Sequence, residues 1–461
     1  MKIIAIAPRA QKDIAFCTDT LYNDSTMICF ERYFMRAAFY TLGCKVNQYE
    51  TELMAEDLQK NGYEIVDEDS SPDVFIINSC TVTAESDRKT RQTVHKYRKK
   101  LPNAIIVLTG CMPQAFPEDA QNLTSADIVL GNAANHLLVE SIHEFMISGE
   151  RVVKTVAHDK AQVRSTIDRF RGRTKAFMKI EDGCDRFCSY CIIPYARGRV
   201  RSKPIDEIIG EVKALEDSGF KEVVLIGINL SAYGKENGKT LADAVEAVNA
   251  AAPNMRIRLG SMEPDQFDDN TIQRLARVDM LCPQFHLSLQ SGCDNTLKRM
   301  NRHYDTAFYR SLVNKLRAAF TDCAITTDIM VGFAGETEQD HVDSVAFLRE
   351  IGFARTHVFA YSRRRGTAAD KFDGQVENSV KRRRSKEMIE AAKECMDSFI
   401  DGQIGNVYPV LIENRSKDGL YEGYTPNYTR VFVKTDRNIG GEIVNIRLTE
   451  RYDDGALGEL V

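Results

Sequence analysis

The sequence predicts an α/β protein with three parts: a small doubly wound parallel sheet, a partial (β/α)6 barrel and a small all-β barrel. Strand-like and helix-like runs alternate from residue 35 to residue 150, which is typical of a doubly wound sheet. Between residues 175 and 361 they alternate six times, forming an open version of the eightfold barrel. After residue 399, short strands with turn residues replace the helices.

Apolar runs and their flanking residues place the elements of the first part. Gly62 and Pro102 end its first two helices. Strands are predicted at 37–42, 73–78, 104–109 and 127–130, and helices at 50–61, 85–100 and 135–147.

The same patterns place the elements of the other two parts. Barrel strands are predicted near 176–181, 222–228, 255–260, 285–289, 325–331 and 356–361, with helices at 205–218, 307–319 and 338–351 among those between them. A helix at 385–399 then precedes strands at 407–413, 431–435 and 443–448.

These elements divide the chain into five segments. Residues 1–34 are an irregular extension of unknown role, or lie upstream of a true start at Met35. The sheet domain covers 35–150, a polar, arginine-rich linker 151–174, the barrel core 175–395 and the small barrel 396–461.

Composition limits the class of function. The 461 residues carry a formal net charge of −5, so any nucleic-acid binding must come from local basic patches. Twelve cysteines without a secretory signal or a membrane-spanning run indicate a reducing compartment, and we expect the cytoplasm. The sequence contains no P-loop, no GxGxxG that opens a helix after a strand, and no HExxH motif. It therefore lacks the usual motifs of nucleotide hydrolases, nicotinamide-dependent enzymes and zinc proteases.

Three cysteines lie within eight residues, as Cys184-x-x-x-Cys188-x-x-Cys191, just after the first barrel strand. Three thiolates can hold three irons of an iron–sulfur cube and leave the fourth iron open to a small molecule. A structural zinc site normally needs a fourth ligand, and no further Cys or His lies close to the trio. Zinc and chance spacing are the alternatives to a catalytic cluster.

A second cysteine set is distributed over the first domain. Cys44, Cys80 and Cys111 each follow a predicted parallel strand, and a glycine precedes the first and the third. The carboxyl ends of such strands lie along one edge of the sheet, where doubly wound folds bind ligands. We expect a second three-thiolate site there; the alternative is three unrelated core cysteines.

Polar residues and glycines gather at the predicted carboxyl ends of the barrel strands, where barrel enzymes place their active sites. Tyr190, within the cysteine loop, is suited to a flat group lying over it. The candidate cofactor-binding residues are Tyr190, Gly227, Asn229, Ser261, Glu263, Ser288, Gln290, Asp328 and Gly332.

Several blocks together resemble one family. The cysteine loop from Cys184 to Gly198 looks like the cluster loop of the radical S-adenosylmethionine methylthiotransferases. Three segments look like the family's amino-terminal domain: TLGCKVNQYET, INSCTVT and LTGCMPQ. Four more match further sequence blocks of the family: RLGSMEP, HLSLQSG, TTDIMVGFAGET and YSRRRGT. The resemblance covers residues 35–461 and ends in what looks like a TRAM domain, the family's RNA-binding barrel.

The resemblance implies cofactors and roles. Cys184, Cys188 and Cys191 would hold a [4Fe–4S] cluster that binds S-adenosylmethionine, and Cys44, Cys80 and Cys111 an auxiliary [4Fe–4S] cluster that carries or donates sulfur. One S-adenosylmethionine would give the methyl group, and a second the radical that abstracts hydrogen from the target carbon. An electron donor such as a flavodoxin or a ferredoxin is implied.

The resemblance also suggests the substrate. CKVNQYET with CSYCIIPYARGR looks most like the branch that adds a 2-methylthio group to C2 of N6-threonylcarbamoyladenosine at position 37 of tRNA. Alternatives are isopentenyladenosine in tRNA, an aspartate of a ribosomal protein, and a non-catalytic, zinc-holding RNA-binding protein.

Basic runs are candidates for phosphate contacts. They comprise Arg164, Arg169, Arg171, Arg173, Lys175, Lys179, Arg197, Arg199, Arg201 and Lys203 around the cysteine loop, together with 363–365 and 381–384. Residues 398–461 hold seven basic and ten acidic residues, so the small barrel is not basic overall. Its candidate RNA-binding residues are Arg415, Tyr424, Tyr428, Arg430 and Lys434.

Overall fold

The protein is described from a computed structural model that covers residues 34–158, 174–416 and 418–461. Residues 1–33 of the predicted amino-terminal extension lie outside these residues, as do the linker arginines Arg164, Arg169, Arg171 and Arg173. Among the helices of the described ranges, none is both long and apolar enough to cross a membrane.

The first part is a six-stranded parallel sheet with strand order β2-β1-β3-β4-β5-β6. Its central strand β3 is fully buried, and apolar side chains of the helices cover both faces of the sheet. The strands are β1 Arg36–Thr41, β2 Glu64–Ile65, β3 Val74–Ser79, β4 Ile105–Gly110, β5 Ile128–Leu130 and β6 Val152–Lys154. The helices are α1 Lys45–Lys60, α2 Ala84–Lys100, α3 Cys111–Ala115, α4 Pro117–Gln121 and α5 Leu138–Ser148.

The second part is the open barrel. Parallel pairing runs β11-β10-β7 on one side and β12-β13-β14-β15 on the other, and β11 and β12 are separated by Gly260 alone. The strands are β7 Ala176–Lys179, β8 Glu181–Asp182, β9 Arg201–Ser202, β10 Glu222–Ile226, β11 Arg256–Leu259, β12 Ser261–Met262, β13 Gln284–Leu287, β14 Ala324–Val331 and β15 Arg355–Ala360. The helices are α6 Ile193–Arg197, α7 Ile205–Asp217, α8 Leu241–Ala251, α9 Asp269–Leu275, α10 Asp294–Arg299, α11 Thr306–Ala319 and α12 Glu338–Ile351.

The third part is a closed five-stranded barrel in the order β16-β17-β18-β20-β19, which follows the long helix α13, Asn378–Asp401. The strands are β16 Val407–Arg415, β17 Tyr421–Tyr424, β18 Arg430–Val433, β19 Ile443–Tyr452 and β20 Gly455–Leu460. The predicted mixed α/β fold with parallel sheets and a small β-barrel is confirmed. The predictions of secondary structure omitted β17 and β20, which are short and contain glycine.

A buried arginine joins the small barrel to the open barrel. Arg258 on β11 pairs with Glu222 on β10 at 2.8 Å and donates to the carbonyl of Pro426 at 2.9 Å. Its guanidinium also lies 4.5 Å from the ring centroid of Tyr428. Because these contacts fill a site without solvent, Arg258 fixes the position of the loop that contains Pro426 and Tyr428.

We predict that Arg258→Ala lowers the free energy of unfolding by about 3–5 kcal/mol, because it leaves the buried Glu222 carboxylate without its partner. Urea denaturation followed by circular dichroism measures the change. The matched control is Arg349→Ala, which removes an exposed arginine–glutamate pair and should cost less than about 1 kcal/mol. Equal, small losses for both variants would contradict the assigned role.

Candidate active site

The three cysteines of the first domain converge at the carboxyl edge of its sheet. Cys44, Cys80 and Cys111 follow β1, β3 and β4, which are hydrogen-bonded neighbours in the sheet. Burial raises the pKa of Cys111 to about 12, and the proximity of Cys44 and Cys80 adds to the rise. The topology therefore forms this site, called here the auxiliary triad, from residues up to 67 positions apart.

The glycines that precede two of these cysteines allow the close approach. Gly43 has φ +112°, and a Cβ atom there would lie 2.8 Å from Cys80 Cβ. Gly110 has φ +101°, and its Cβ would lie 2.5 Å from the Ser79 carbonyl oxygen. Any larger residue would be strained and would push the strand ends apart.

The loop that carries Cys184, Cys188 and Cys191 is anchored at both ends. The Cys184 N–H donates to the Gly198 carbonyl at 3.0 Å, and the Ser189 N–H to the Met300 carbonyl at 3.0 Å. Burial raises the pKa of Cys191 to about 12, with further contributions from Cys188 and Cys184. The three thiols, called here the barrel triad, are thus held together on a fixed loop.

A buried arginine donates to the barrel triad. Arg302 Nη1 lies 3.2 Å from Cys188 Sγ, and the same guanidinium makes two hydrogen bonds to the Glu263 carboxylate, at 3.1 and 2.6 Å. Hydrogen bonds and positive charge beside a thiolate favour its ionised, metal-binding form. Arg302 was missing from the predicted site residues, although Glu263 was included.

The free thiols of both triads are the ligand type that an iron–sulfur cluster needs. Within the ranges that the structure describes, no group of three or more His, Cys, Asp or Glu side chains could hold one metal ion. In a four-iron cluster each thiolate binds its own iron at a separate corner, so the sulfurs need not converge on one point. All six cysteines are also free of disulfides. Both triads therefore fit [4Fe–4S] clusters, with three protein ligands each.

Buried acceptors beside the barrel triad provide a fit for an organic ligand. Glu181 and Asn229 follow the neighbouring strands β7 and β10, and the Asn229 N–H donates to Glu181 Oε2 at 2.7 Å. Glu181 Oε1 and Asn229 Oδ1 are buried and lack hydrogen-bond partners among the described residues. Gly227 leaves room for the Glu181 carboxyl group, because a Cβ atom at this position would lie 2.5 Å from Glu181 Oε2. The ammonium and hydroxyl groups of S-adenosylmethionine are the donors that such oxygens need.

The other predicted cofactor-binding residues lie at the same strand ends in different settings. The ring of Tyr190 packs edge-on against Phe333, with centroids 6.2 Å apart. Ser288 accepts hydrogen bonds through its carbonyl oxygen, and Asp328 lies 3.3 Å from His286. Positive φ angles occur at Gln290 and Gly332, and Ser261 is exposed.

Four buried charges lie between α1 and the barrel. Arg197 makes hydrogen bonds to both Glu50 carboxylate oxygens, and Lys179 bridges Glu50 at 3.0 Å and Asp182 at 3.2 Å. Burial opposes ionisation of Asp182, but Lys179, Arg197 and Arg201 outweigh it and hold the pKa of Asp182 below its usual range. This set, called here the interface network, also touches the auxiliary triad, because Arg197 Nε lies 3.2 Å from Cys111 Sγ.

The interface network corrects the predicted RNA-contacting runs. Arg197 and Lys179 are buried, and Lys203 pairs with Glu211 in a site without solvent, so these cations cannot reach phosphates. The prediction fails in the same way for Arg364 and Arg384, which are buried with acidic partners. A basic run in the sequence shows charge but does not show the distant carboxylate that pairs with it.

The predicted RNA-binding residues of the small barrel divide into two groups. The rings of Tyr424 and Tyr428 stack with their centroids 4.6 Å apart, and Lys175 Nζ lies 4.9 Å from the centroid of Tyr424. Arg430 forms ion pairs with Glu422 and Asp454. Arg415 and Lys434 are exposed. No carboxylate lies within ion-pair distance of these two in the described part of the chain. They are the members of the set available to a phosphate.

Comparison with known proteins assigns the three parts. The profile described as uncharacterized protein family UPF0004 matches residues 36–131, the radical SAM superfamily 178–348 and the TRAM domain 402–461. The chain is 34% identical to the threonylcarbamoyladenosine tRNA methylthiotransferase MtaB of Bacillus subtilis, over 92% of this chain and 96% of that protein. Identity to MtaB of Thermotoga maritima is 37%, over 90% and 95%. It is 34% to the tRNA-2-methylthio-N(6)-dimethylallyladenosine synthase of Clostridium perfringens, over 91% and 96%.

Solved structures share the fold. The radical S-adenosylmethionine methyltransferase TsrM of Kitasatospora setae, with cobalamin and a [4Fe–4S] cluster bound, superposes with a TM-score of 0.53 at 14% identity, over 71% of this chain and 75% of that one. OxsB, a cobalamin-dependent radical enzyme, gives 0.51 at 11% identity, over 78% and 56%. The fold and the site thus define a radical S-adenosylmethionine enzyme. The chain belongs to the methylthiotransferase family of these enzymes, whose cofactors are two [4Fe–4S] clusters and S-adenosylmethionine.

We predict that Glu181→Gln weakens S-adenosylmethionine binding by roughly 10-fold or more, because the amide cannot accept the ionic hydrogen bond that a bound ammonium group would form with Glu181, whose pKa burial raises. Equilibrium dialysis with the anaerobically reconstituted protein measures the dissociation constant. Glu390→Gln, on the exposed surface of α13, is the control and should bind as the unaltered chain does. Unchanged binding by Glu181→Gln at full iron content would exclude Glu181 from the ligand site.

Proposed function

We propose that the chain transfers a methylthio group to C2 of N6-threonylcarbamoyladenosine at position 37 of tRNA. The observation that carries the proposal is the pair of three-cysteine sites, joined through one interface, in a chain similar along most of its length to enzymes named for this reaction. Members named for dimethylallyladenosine are similar too, so the choice of nucleoside needs support from particular residues.

Lys45 supports the threonylcarbamoyl substrate. It follows Cys44 directly, is exposed, and has no carboxylate partner within ion-pair distance in the described ranges. Partial desolvation lowers the pKa of Lys45, and the nearby cations Lys175 and Arg258 add to the shift. An anionic group would therefore be stabilised beside it. The threonylcarbamoyl group has a carboxylate, whereas the dimethylallyl group is uncharged.

The chain divides the chemistry between its two triads. Cys184, Cys188 and Cys191 are the ligands we assign to the cluster that binds S-adenosylmethionine, and Cys44, Cys80 and Cys111 those of the auxiliary cluster. When bound, the first cluster supplies the electron that cleaves S-adenosylmethionine, and the second carries the sulfur to be inserted. Arg302 orients the loop at Cys188, and Glu181 and Asn229 would orient the donor groups of S-adenosylmethionine.

The remaining predicted contacts belong to the same proposal. Tyr190, Ser261, Glu263, Ser288, Gln290, Asp328 and the glycines Gly227 and Gly332 surround the cofactor, while Arg415 and Lys434 contact tRNA phosphates. Tyr424, Tyr428 and Arg430 support that RNA face from the junction with the barrel. An electron donor such as a flavodoxin or a ferredoxin supplies reducing equivalents in the cytoplasm.

Two cysteine variants test the proposal. Cys188→Ala should abolish cleavage of S-adenosylmethionine, because the barrel triad loses a ligand, while tRNA binding stays nearly unchanged. Cys80→Ala should retain cleavage but form no methylthiolated nucleoside. Both are measured on tRNA carrying threonylcarbamoyladenosine, by nucleoside mass spectrometry and by 5′-deoxyadenosine release. Product formation by either variant would overturn the division of roles.

We predict that Lys45→Gln lowers kcat/KM by about 10-fold or more on tRNA carrying threonylcarbamoyladenosine, because the substrate carboxylate loses a charged donor. Lys60→Gln, at the other end of α1, is the control. The same assay on tRNA carrying isopentenyladenosine separates specificity from damage. A parallel loss on both tRNAs, or no loss on either, would refute carboxylate recognition by Lys45.

A further inference from the structure

We infer that Arg197 sets the reduction potential of the auxiliary cluster through its hydrogen bond to Cys111. The inference rests on the proposed assignment of Cys44, Cys80 and Cys111 as cluster ligands. Arg197 belongs to the barrel, six residues after Cys191, yet its Nε lies 3.2 Å from the sulfur of a cysteine in the other domain. Arg197 is therefore a positioning residue that acts on the cluster through a ligand.

The geometry of Arg197 leaves it little freedom. Its side chain is 1% exposed, its two terminal nitrogens bond the Glu50 carboxylate, and one of them also bonds Asn47 Oδ1 at 2.7 Å. The Nε–H is directed at Cys111 Sγ. Asn132 Nδ2, at 3.7 Å from the same sulfur, is a longer and uncharged contact.

Cations and carboxylates both belong to the network beside the auxiliary triad, and Arg197 is the cation that contacts Cys111. Glu50 and Asp182 are the carboxylates of the interface network, and both pair with buried cations. Arg197, Lys179 and Arg201 are the cations around them. Positive charge and hydrogen bonds at a ligating sulfur stabilise the reduced, more negative form of an iron–sulfur cluster, so they raise its reduction potential.

Arg197 also links the two triads. The next residue, Gly198, accepts a hydrogen bond from the Cys184 N–H at 3.0 Å. The dipeptide Arg197–Gly198 therefore makes one hydrogen bond to a cysteine of each triad. The hydrogen bond from Arg197 to Cys111 fixes the position of the auxiliary triad relative to the barrel triad.

The test uses the full chain with Cys184, Cys188 and Cys191 changed to Ala, so that the auxiliary cluster alone is present. After anaerobic reconstitution, a redox titration followed by electron paramagnetic resonance gives its midpoint potential. Arg197→Lys keeps a charge for Glu50 but loses the Nε–H donor, so the potential should fall. Arg197→Gln should lower it further, because the charge is lost too.

Two further variants separate tuning from structural damage. Glu50→Gln removes a negative charge and leaves Arg197 in place, so the potential should rise. Arg199→Gln, an exposed neighbour paired with Asp185, should leave it unchanged because water screens that charge. A structural defect would not produce shifts of opposite sign from the two partners of one ion pair.

The outcomes are distinguishable. Falling potentials for the Arg197 variants with a rising potential for Glu50→Gln support the inference. If the parent holds roughly four irons and all variants share one potential, the inference is overturned while the cluster assignment stands. If the parent binds no iron, both fail. If the Arg197 variants lose iron, Glu50→Gln decides, because an unchanged potential there excludes electrostatic control.

Discussion

The structure depends on the ion pair between Glu50 of α1 and Arg197 of the barrel. A buried pair of this kind recovers its desolvation cost when further hydrogen bonds satisfy both groups, as Lys179 and Asn47 do here. Because Glu50 lies on the helix that begins immediately after Cys44, and Arg197 lies just after the barrel triad, the pair fixes one cysteine site relative to the other. A reaction that brings a sulfur atom and a radical to one carbon needs that fixed relation.

The cysteine sites could be predicted from the sequence because the spacing of the cysteines and their positions after predicted strands can both be read there. The barrel triad shows in its spacing alone. The auxiliary triad shows in strand ends, and Gly43 and Gly110 mark the two positions where a side chain would not fit. The sequence also placed Gly227 and Asn229 at the edge where buried, unpartnered oxygens now indicate a ligand.

The electrostatic partners could not be predicted in this way. Arg197 and Glu50 are 147 residues apart, and a run such as 197–203 has the same appearance whether its cations face solvent or a buried carboxylate. Glu181 and Arg302 were missed for a related reason, because their partners are distant in the sequence: Asn229 for Glu181, and Cys188 with Glu263 for Arg302. Helix α1 begins five residues earlier than predicted, immediately after Cys44.

The most direct measurement of the central claim is the iron and labile-sulfide content of the full chain after anaerobic reconstitution. Two four-iron clusters on two separate triads require roughly eight irons per chain, falling to roughly four when either triad is changed to alanine. One or two zinc atoms without labile sulfide, or loss of all iron when one triad is removed, would contradict two independently ligated clusters.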